Sequence, residues 1–263
     1  MTTRQGGVSM PPWDSLNLGD HVGDDPNHVA ANRHLVAQTL GAQPVYVKQV
    51  HGFHALALPF QSTGLDTDPL KTTLVSASVN APEADLTWTT QAGLACTMMV
   101  ADCLPLLVCH RHMPWVAAVH AGWRGLAGRE GQGVIESLGH VVQQQGLNPQ
   151  DCLVWLGPCI GPTAFEVGAE VVAALSWGLP AHHDCFQAME KKGQSMADLA
   201  GVSRYRLKAA GFEHLYGNDS TLSWCTYRQE ALYHSHRRDA ALKGGAGRMA
   251  AFIWVADGAW AHP

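Results

Sequence analysis

Short apolar segments, separated by glycine or proline and interspersed with helix-like segments, limit what this chain can fold into. Four of them predict buried strands, namely LACTMMVA, LPLLVCH, WVAAVH and GRMAAFIWVA. DCLVWLGPCIGP repeats the pattern of a strand followed by glycine, and PVYVKQVHG, rich in β-branched residues, predicts a strand that runs into a turn at His51-Gly52. Helical spacing occurs in AANRHLVAQTLG, VGAEVVAALSWG and DLAGVSRYRLKAAG, and between Leu126 and Gln145. Because strands and helices do not alternate strictly, we expect an α+β fold with packed layers, not a doubly wound sheet.

The domain organisation follows from what the 263 residues lack, since there is no repeat of fixed period, no long low-complexity tract and no Ser/Pro-rich linker. Apolar residues make up 46% of the chain, enough to bury a substantial core. Residues 13–26 are crowded with Asn, Gly, Asp and Pro and predict an irregular loop, whereas residues 180–197 have no clear pattern. One domain over residues 1–263 is the simplest organisation.

Charge and cysteine content narrow the class of partner. The formal net charge is −5 and the 17 Lys and Arg residues are scattered, so we expect neither nucleic acid nor a membrane as partner, but a small-molecule substrate. No signal peptide and no 18-residue apolar stretch is visible, which predicts a cytoplasmic location. The seven cysteines form no CxxC pair and are expected to be free, mostly buried thiols. Oligomeric state is left open.

Three side chains that can bind a metal share one context, at or just past the end of a predicted apolar strand. They are His51 in KQVHG, Cys103 in ADCLP and His120 in AVHAGWRG. Imidazole and thiolate are good zinc donors, and three protein ligands leave a fourth position for water, as in catalytic zinc sites. The spacing matches no short metal motif, so the residues alone leave a second interpretation, in which these are packed or hydrogen-bonded core side chains.

The segment VHAGWRG has an interpretation that does not depend on a metal. Gly122 and Gly125 allow backbone amides to approach an anion, and Arg124 offers a planar set of donors, so a phosphate or carboxylate would suit it. The alternative is a strand-to-helix turn in which Trp123 packs and Arg124 forms a surface ion pair. Both interpretations stay open at this point.

Other clusters of polar residues are weaker candidates. We interpret one cluster as the polar end of a strand and a second as a surface loop: Cys109, His110 and His112, and then His182, His183 and Cys185. The segment YHSHRRD, residues 233–239, could reach an anionic substrate or form a solvated edge. No Walker loop, GxSxG elbow or HExxH motif occurs, so hydrolase and nucleotidase hypotheses based on those motifs have no support.

Taken together and in order, the segments resemble one known family over nearly the whole chain. They are RQGGVSMPPWDSLNLGDHVGDDP, NRHLVAQTLG, KQVHG, ADCLPLLV, AVHAGWRGLAG, WLGPCIGPTAFEVGAEV, DLAGVSRYRLKAAG, CTY and HRRDAALKGGAGRMAAFIWV. The pattern is similar to that of the YfiH-type proteins, also called the multicopper polyphenol oxidoreductase (laccase-domain) family or peptidoglycan editing factors. The combination of ADCLP, HAGWRG and GPCIGP is specific.

The resemblance implies a layered α/β/β/α fold and a zinc ion, one per chain, bound by His51, Cys103 and His120. It also implies phosphorolysis of adenosine, inosine, guanosine or methylthioadenosine to the base and a sugar 1-phosphate, and deamination of adenosine. Bacterial members are further linked to the removal of misincorporated L-serine from a muramyl peptidoglycan precursor. The family name implies copper-dependent oxidation of phenols, which a single His2Cys site disfavours because four-electron oxygen reduction needs several coppers.

Residue roles follow from the resemblance and from position. Asp102, Cys103 and Arg124 are the expected catalytic residues, and Asn17, Arg33 and Arg124 are expected to bind substrate, with purine nucleoside and phosphate as the small molecules. The first hypothesis is therefore a zinc-dependent purine nucleoside phosphorylase with adenosine deaminase activity. The alternatives are a precursor-editing amidase, in which Cys103 or a zinc-activated water is the nucleophile, and a non-enzymatic binding module.

Two departures from the family pattern bear on substrate specificity. CTY is followed by Arg228, where many relatives carry a second cysteine, and the segment around Leu242 to Gly245 contains inserted residues. Both lie outside the three metal-binding positions, so the metal prediction is unaffected.

Overall fold

The computed structural model describes residues 1–59, 81–180 and 183–258. The helices of these ranges are α1 (Pro26–Leu40), α2 (Trp123–Ala127), α3 (Val134–Gln144), α4 (Ala169–Ser176), α5 (Leu199–Ala209) and α6 (Ala241–Lys243). The strands are β1 (Gln43–Val45), β2 (Ala55–Ala57), β3 (Leu86–Thr89), β4 (Leu94–Val100), β5 (Leu104–His110), β6 (Val116–Ala121), β7 (Cys152–Leu156), β8 (Glu166–Gly168), β9 (Phe186–Ala188), β10 (Gln194–Ala197), β11 (His214–Gly217) and β12 (Met249–Trp254). A π-helical turn, His236–Ala240, precedes α6.

The strands form three sheets. The largest has six strands in the order β11-β7-β5-β6-β3-β2, with parallel and antiparallel pairs. The second has the order β1-β4-β12, in which β4 is parallel to β1 and antiparallel to β12. A small third sheet, β8-β10-β9, lies apart from both in the hydrogen-bonding pattern. The chain crosses from the second sheet to the first between β4 and β5, at residues 101–103.

Alternating side chains along the strands build the layers, because successive residues of a strand face opposite sides of a sheet. In β6, Val116 and Ala118 pack with Cys96 and Met98 of β4, between the two larger sheets. The neighbouring residue Val119 faces the other way. There it joins the largest core cluster, which contains side chains of α3 and α5.

Helix α1 covers the outer face of the β1-β4-β12 sheet. Its Val36 packs in a cluster with Met99 of β4 and Phe252 of β12. The order of layers is therefore helix, sheet, sheet, helix, and the expected α+β fold with mixed sheets and α/β/β/α layers is confirmed.

The two ends of helix α1 are set by residues that favour helix termini. The Asp25 side chain caps the first turn by accepting a hydrogen bond from the Asn27 amide, and Pro26 occupies the first position. Gly41 ends the helix in the left-handed region, with φ 65°. The predicted helix and its glycine stop are confirmed.

Two predicted elements differ from the structure. The single helix expected from Leu126 to Gln145 is divided into α2 and α3, because Gly128 has a φ of 58° that breaks the helical backbone. The strand predicted to run as far as His51 ends at Val45, and His51 lies in a loop with a φ of 59°. The irregular loop at residues 13–26 is confirmed except for its last residue, which begins α1.

Among the residues that the structure describes, every helix is too short or too polar to cross a membrane.

Candidate metal centre

Three separate elements bring the predicted ligands together. His120 is the penultimate residue of β6, and Cys103 immediately precedes β5, which pairs with β6 so that Pro105 lies opposite His120. His51 comes from the loop between β1 and β2. Their candidate ligand atoms all lie within 4.8 Å of one another, and Cys103 Sγ is 3.8 Å from His51 Nε2. The strand register therefore explains why residues 17 positions apart, His120 and Cys103, become neighbours.

The donor set fits a tetrahedral zinc ion. With ordinary zinc–sulfur and zinc–nitrogen bonds of about 2.3 and 2.0–2.1 Å, two such ligands stand about 3.6 Å apart. The separation of 3.8 Å between Cys103 Sγ and His51 Nε2 is close to that value. His120 is buried, Cys103 is half-buried and His51 is exposed, so the group is open to solvent on the His51 side. An open three-donor site is the form that catalytic zinc takes.

Asp85 holds two of the three ligands in place. Its Oδ1 lies 2.7 Å from His120 Nδ1, which leaves His120 Nε2 free to face a metal. Its two carboxylate oxygens also accept hydrogen bonds from the backbone amides of His51, at 3.1 Å, and Gly52, at 2.7 Å. The sequence analysis missed Asp85. The signal was a fully buried acidic residue directly before β3, but burial cannot be read from one sequence.

The charged forms of Cys103, His120 and Asp85 stabilise one another, as their pKa values show. Burial alone raises the pKa of the Cys103 thiol, but the charge of His120 and hydrogen bonds from His120 and His51 lower it to about 6. Burial lowers the pKa of His120, but the Cys103 thiolate and the Asp85 carboxylate raise it to about 9. For Asp85, burial raises the pKa, and the hydrogen bond and charge of His120 bring it below its ordinary value. Cys103 is thus held as the thiolate, which is the metal-binding form.

Gly122 provides the room that the three ligands need. A Cβ atom at this position would lie 2.9 Å from His51 Cδ2 and 3.0 Å from Cys103 Sγ. Gly125, one turn into the following helix, approaches the same loop, since a Cβ there would lie 2.7 Å from the Gly52 carbonyl oxygen. In HAGWRG the two glycines therefore serve close packing around the triad.

Asp102 shapes the turn that presents Cys103. Its φ is 92°, in the region that favours glycine, and two hydrogen bonds hold its carboxylate there. Thr226 Oγ1 donates to Oδ1 at 2.6 Å, and the Arg237 amide donates to Oδ2 at 2.7 Å. ADCLP is thereby connected to the CTY and HRRD segments of the family pattern.

The residues expected to bind substrate lie in different environments. Asn17 is fully buried and bonds to Gly19, Asp24 and the Arg248 amide. Arg33 is buried with its guanidinium 4.0 Å from the centre of the Tyr46 ring. Both hold the N-terminal loop to the second sheet, and their contact with substrate stays a prediction.

Arg124 lies on the surface at the start of α2. Its guanidinium covers the ring of Trp123, 4.4 Å from the ring centre, while Trp123 itself packs against the core. No carboxylate within the described ranges forms an ion pair with it. The alternative interpretation of VHAGWRG was a turn with a packed Trp123 and a surface ion pair of Arg124. The packed tryptophan is present, but the described residues contain no such ion pair. The guanidinium is available to an anion.

The weaker clusters lie outside the triad. His110 is the last residue of β5, at the end far from Cys103, and its ring centre stands 5.9 Å from that of His112, so these residues form the polar end of a strand. In the second cluster, the His183 ring packs against Phe186. Cys185 is buried, so the surface-loop interpretation is wrong for this residue. His182 lies outside the described residues. The seven cysteines are free, as expected, and five of them are buried. Across the described chain, the triad is the one group of three or more such side chains that could hold a metal.

Known proteins are similar to this chain in sequence and in fold. A profile of the multi-copper polyphenol oxidoreductase laccase family matches residues 1–256. A Pseudomonas aeruginosa protein named purine nucleoside phosphorylase is 40% identical over 257 residues, covering 98% of this chain and 93% of that protein. The Escherichia coli purine nucleoside phosphorylase YfiH is 39% identical over 265 residues, covering 97% and 92%.

A solved structure agrees with these relatives. The crystal structure of YlmD from Geobacillus stearothermophilus matches with a TM-score of 0.82 at 34% identity, covering 97% of this chain and 90% of that one. Two sheets packed between helical layers, with a solvent-accessible His-Cys-His triad at two strand ends and a neighbouring loop, define a layered α+β protein with one candidate mononuclear metal centre among the described residues. The chain belongs to the multi-copper polyphenol oxidoreductase laccase family, whose relatives here are named as purine nucleoside phosphorylases. The resemblance found in the sequence is confirmed.

Proposed function

We propose that this protein is a zinc-dependent purine nucleoside phosphorylase of the cytoplasm, and that it also deaminates adenosine. The observation that carries the proposal is the open triad of His51, Cys103 and His120, oriented by Asp85, in a chain whose full-length relatives bear the phosphorylase name. The proposal includes zinc as the metal, the triad as its ligands, and Asn17, Arg33 and Arg124 as residues that bind substrate.

In phosphorolysis an oxygen of inorganic phosphate bonds to C1′ of the ribose while the bond from C1′ to the purine nitrogen breaks. The electron pair of that bond leaves with the purine, which takes up a proton, and the products are the base and ribose 1-phosphate. The protein must hold phosphate beside C1′ and stabilise negative charge on the departing base. A zinc ion bound by the triad would supply a Lewis acid for that charge.

The chain's own residues have distinct roles in this proposal. Arg124, exposed and without a carboxylate partner in the described ranges, is available to bind phosphate. Asp102 accepts one hydrogen bond on each carboxylate oxygen, from the Thr226 hydroxyl and the Arg237 amide, and each oxygen keeps a second lone pair that can take up a proton. Cys103 is a ligand held as the thiolate.

The amidase hypothesis is supported by one observation. The low pKa of Cys103, about 6, makes its sulfur a competent nucleophile in the absence of a metal. Zinc is preferred over copper because polyphenol oxidation by four-electron oxygen reduction needs several metal sites. The described residues offer one such group.

The test is chromatography of adenosine after incubation with purified protein, with and without inorganic phosphate. Adenine that forms only with phosphate supports phosphorolysis, and inosine that forms without phosphate supports deamination. Elemental analysis should find about one zinc per chain. Several equivalents of copper, or cleavage of a serine-containing muramyl precursor with no change in adenosine, would replace this proposal by the oxidase or the amidase.

A further inference from the structure

Arg248 lies beside the triad and played no part in the sequence analysis. It is the residue before β12, and Met249 pairs with Val100 of β4. In this antiparallel register Arg248 stands next to Ala101, at the turn that carries Asp102 and Cys103. A guanidinium has therefore been placed at the same strand ends that build the candidate metal centre.

The surroundings of Arg248 fix its backbone and leave part of its side chain without a partner. The Arg248 amide donates to Asn17 Oδ1 at 2.8 Å, and Nη1 donates to the carbonyl oxygens of Ala246, at 2.9 Å, and Gly247, at 3.3 Å. Within residues 1–59, 81–180 and 183–258, Nε and Nη2 have no hydrogen-bond acceptor, and no carboxylate forms an ion pair with Arg248. Neither atom is among the fully buried polar atoms without a partner in the described residues, so both are solvent-accessible and can donate to an anion.

Packing holds the side chain in place. A Cβ atom added to Gly19 would lie 2.6 Å from Arg248 Cγ, so Gly19 leaves the space through which the arginine stem passes. Burial lowers the pKa of Arg248, and the negative charges of Cys103 and Asp102 counteract it. These two charges act on Arg248 because they are near it, which supports its position at the site.

The HRRD segment, residues 236–239, contributes one more polar side chain near Arg248. Arg237 donates both terminal nitrogens to the Glu166 carbonyl, and the buried Arg238 bonds to Asp239, so these two arginines are engaged. His236 is exposed at its surface side; the part of its solvent shell that the protein removes, together with the charge of Arg248, lowers its pKa, whereas Asp102 acts in the opposite direction. Of the four side chains from His236 to Asp239, His236 is thus the one left to a ligand.

We propose that Arg248, with His236 beside it, binds inorganic phosphate next to the His51-Cys103-His120 triad. The proposal rests on the proposed phosphorylase function. It assigns the phosphate to the inner, half-buried guanidinium and leaves Arg124 at the rim. Asn17 becomes a positioning residue that holds the Arg248 backbone, not a direct contact to substrate.

The experiment is steady-state phosphorolysis at varied phosphate with zinc-loaded wild type, Arg248→Gln and Arg248→Lys. Loss of hydrogen bonds from a charged donor should raise the KM for phosphate roughly ten- to a hundredfold in Arg248→Gln, with a smaller rise in Arg248→Lys. The KM for nucleoside and the zinc content should not change. Arg111→Gln is the matched control, because Arg111 is exposed at the other end of β5, roughly 26 Å of extended chain from Cys103.

A second variant covers the case in which Arg248→Gln does not fold. Gly19→Ala displaces the Arg248 side chain without removing it and should raise the phosphate KM in the same direction. An unchanged phosphate KM in Arg248→Gln would overturn the phosphate assignment while the phosphorylase function stands.

If the wild type shows no phosphorolysis, the function is wrong, and calorimetric titration with inorganic phosphate still tests the site. Weaker binding by Arg248→Gln than by wild type supports it. Equal binding, or no binding by the wild type, overturns it.

Discussion

At the residue scale, the candidate centre depends on a carboxylate that binds no metal. Asp85 bonds to His120 Nδ1 and to the backbone amides of His51 and Gly52, and so fixes both histidines with one side chain. Carboxylates in this position orient the imidazole and raise its basicity as a ligand. The ligands and their support come from four separate places in the chain.

Asp85→Asn should weaken zinc binding about 10- to 100-fold without removing a ligand, because an amide carries no charge to support His120. Competition with a chromophoric zinc chelator measures this. Asp151→Asn is the control, since Asp151 stands 3.8 Å from His112, away from the triad. Wild-type affinity in Asp85→Asn would show that the hydrogen bond to His120 does not matter for the metal.

Gly122→Ala should abolish stoichiometric zinc while the protein stays folded. The φ of Gly122 is −75°, which alanine accepts, so the effect comes from the contact of the new Cβ with His51 and Cys103. Metal content and circular dichroism are the measurements. Gly139→Ala is the control, because its Cβ would meet only the Ala210 Cβ at 3.6 Å. Full zinc content in Gly122→Ala would contradict the tight packing described for this glycine.

His234 predicts a pH dependence of stability. It is fully buried, neither ring nitrogen has a hydrogen-bond partner among the described residues, and burial with the nearby charge of Arg4 lowers its pKa to about 3. The unfolded chain binds this proton near pH 6.5, so the stabilisation is complete above that pH and is lost as the pH falls toward 3. Between pH 7 and pH 5 the loss should be about 2 kcal/mol.

Urea unfolding at several pH values checks this, with His234→Gln as the comparison. The variant should be less stable at pH 7 but should lose less stability on going to pH 5. Parallel pH profiles for the two proteins would mean that other groups cause the acid sensitivity.

At the element scale, the long apolar strands and the helices followed closely by a glycine were predictable, and the short or interrupted elements were not. Strands β4, β5, β6, β7 and β12 and helices α1, α4 and α5 follow from periodicity and glycine stops. Strands β2 and β11 are three and four residues long, too short for a pattern, and exist because they pair with β3 and β7. Strand ends predicted the positions of Cys103 and His120, whereas neither periodicity nor spacing predicted that three distant segments meet; the family resemblance carried that step.

Gly128→Ala tests why the predicted helix is divided into α2 and α3. Alanine at φ 58° and ψ −142°, a backbone region almost confined to glycine, costs about 1–3 kcal/mol, and its Cβ would also collide with the Gln132 carbonyl, so the total should be about 2–5 kcal/mol. Chemical denaturation measures it. Gly146→Ala has a similar φ, 70°, with open space around it, and should cost only the backbone part. An equal loss of unfolding free energy in the two variants would show that the collision with the Gln132 carbonyl contributes nothing.

At the scale of the whole molecule, the main core consists of apolar side chains and does not depend on a metal. The largest core cluster lies between the six-stranded sheet and its helices and borders the metal centre through Leu104, Val119 and Ala121. Chelation of zinc should therefore leave the protein folded at 25 °C but lower its thermal midpoint. Zinc at a thousandfold excess over its dissociation constant should add about 4 kcal/mol. Far-ultraviolet circular dichroism with and without chelator tests this, and unfolding on chelation alone would contradict it.

Cys103 lies where the chain passes from one sheet to the other, whereas His120 belongs to the six-stranded sheet and His51 follows a strand of the smaller one. The three donors meet only in a molecule whose two sheets have already docked. A partly folded chain in which only β5 and β6 have paired offers a metal two ligands, Cys103 and His120, and lacks His51. We expect metal acquisition to be the last event of maturation, so that the choice between zinc and copper is made by the metals available to the finished protein.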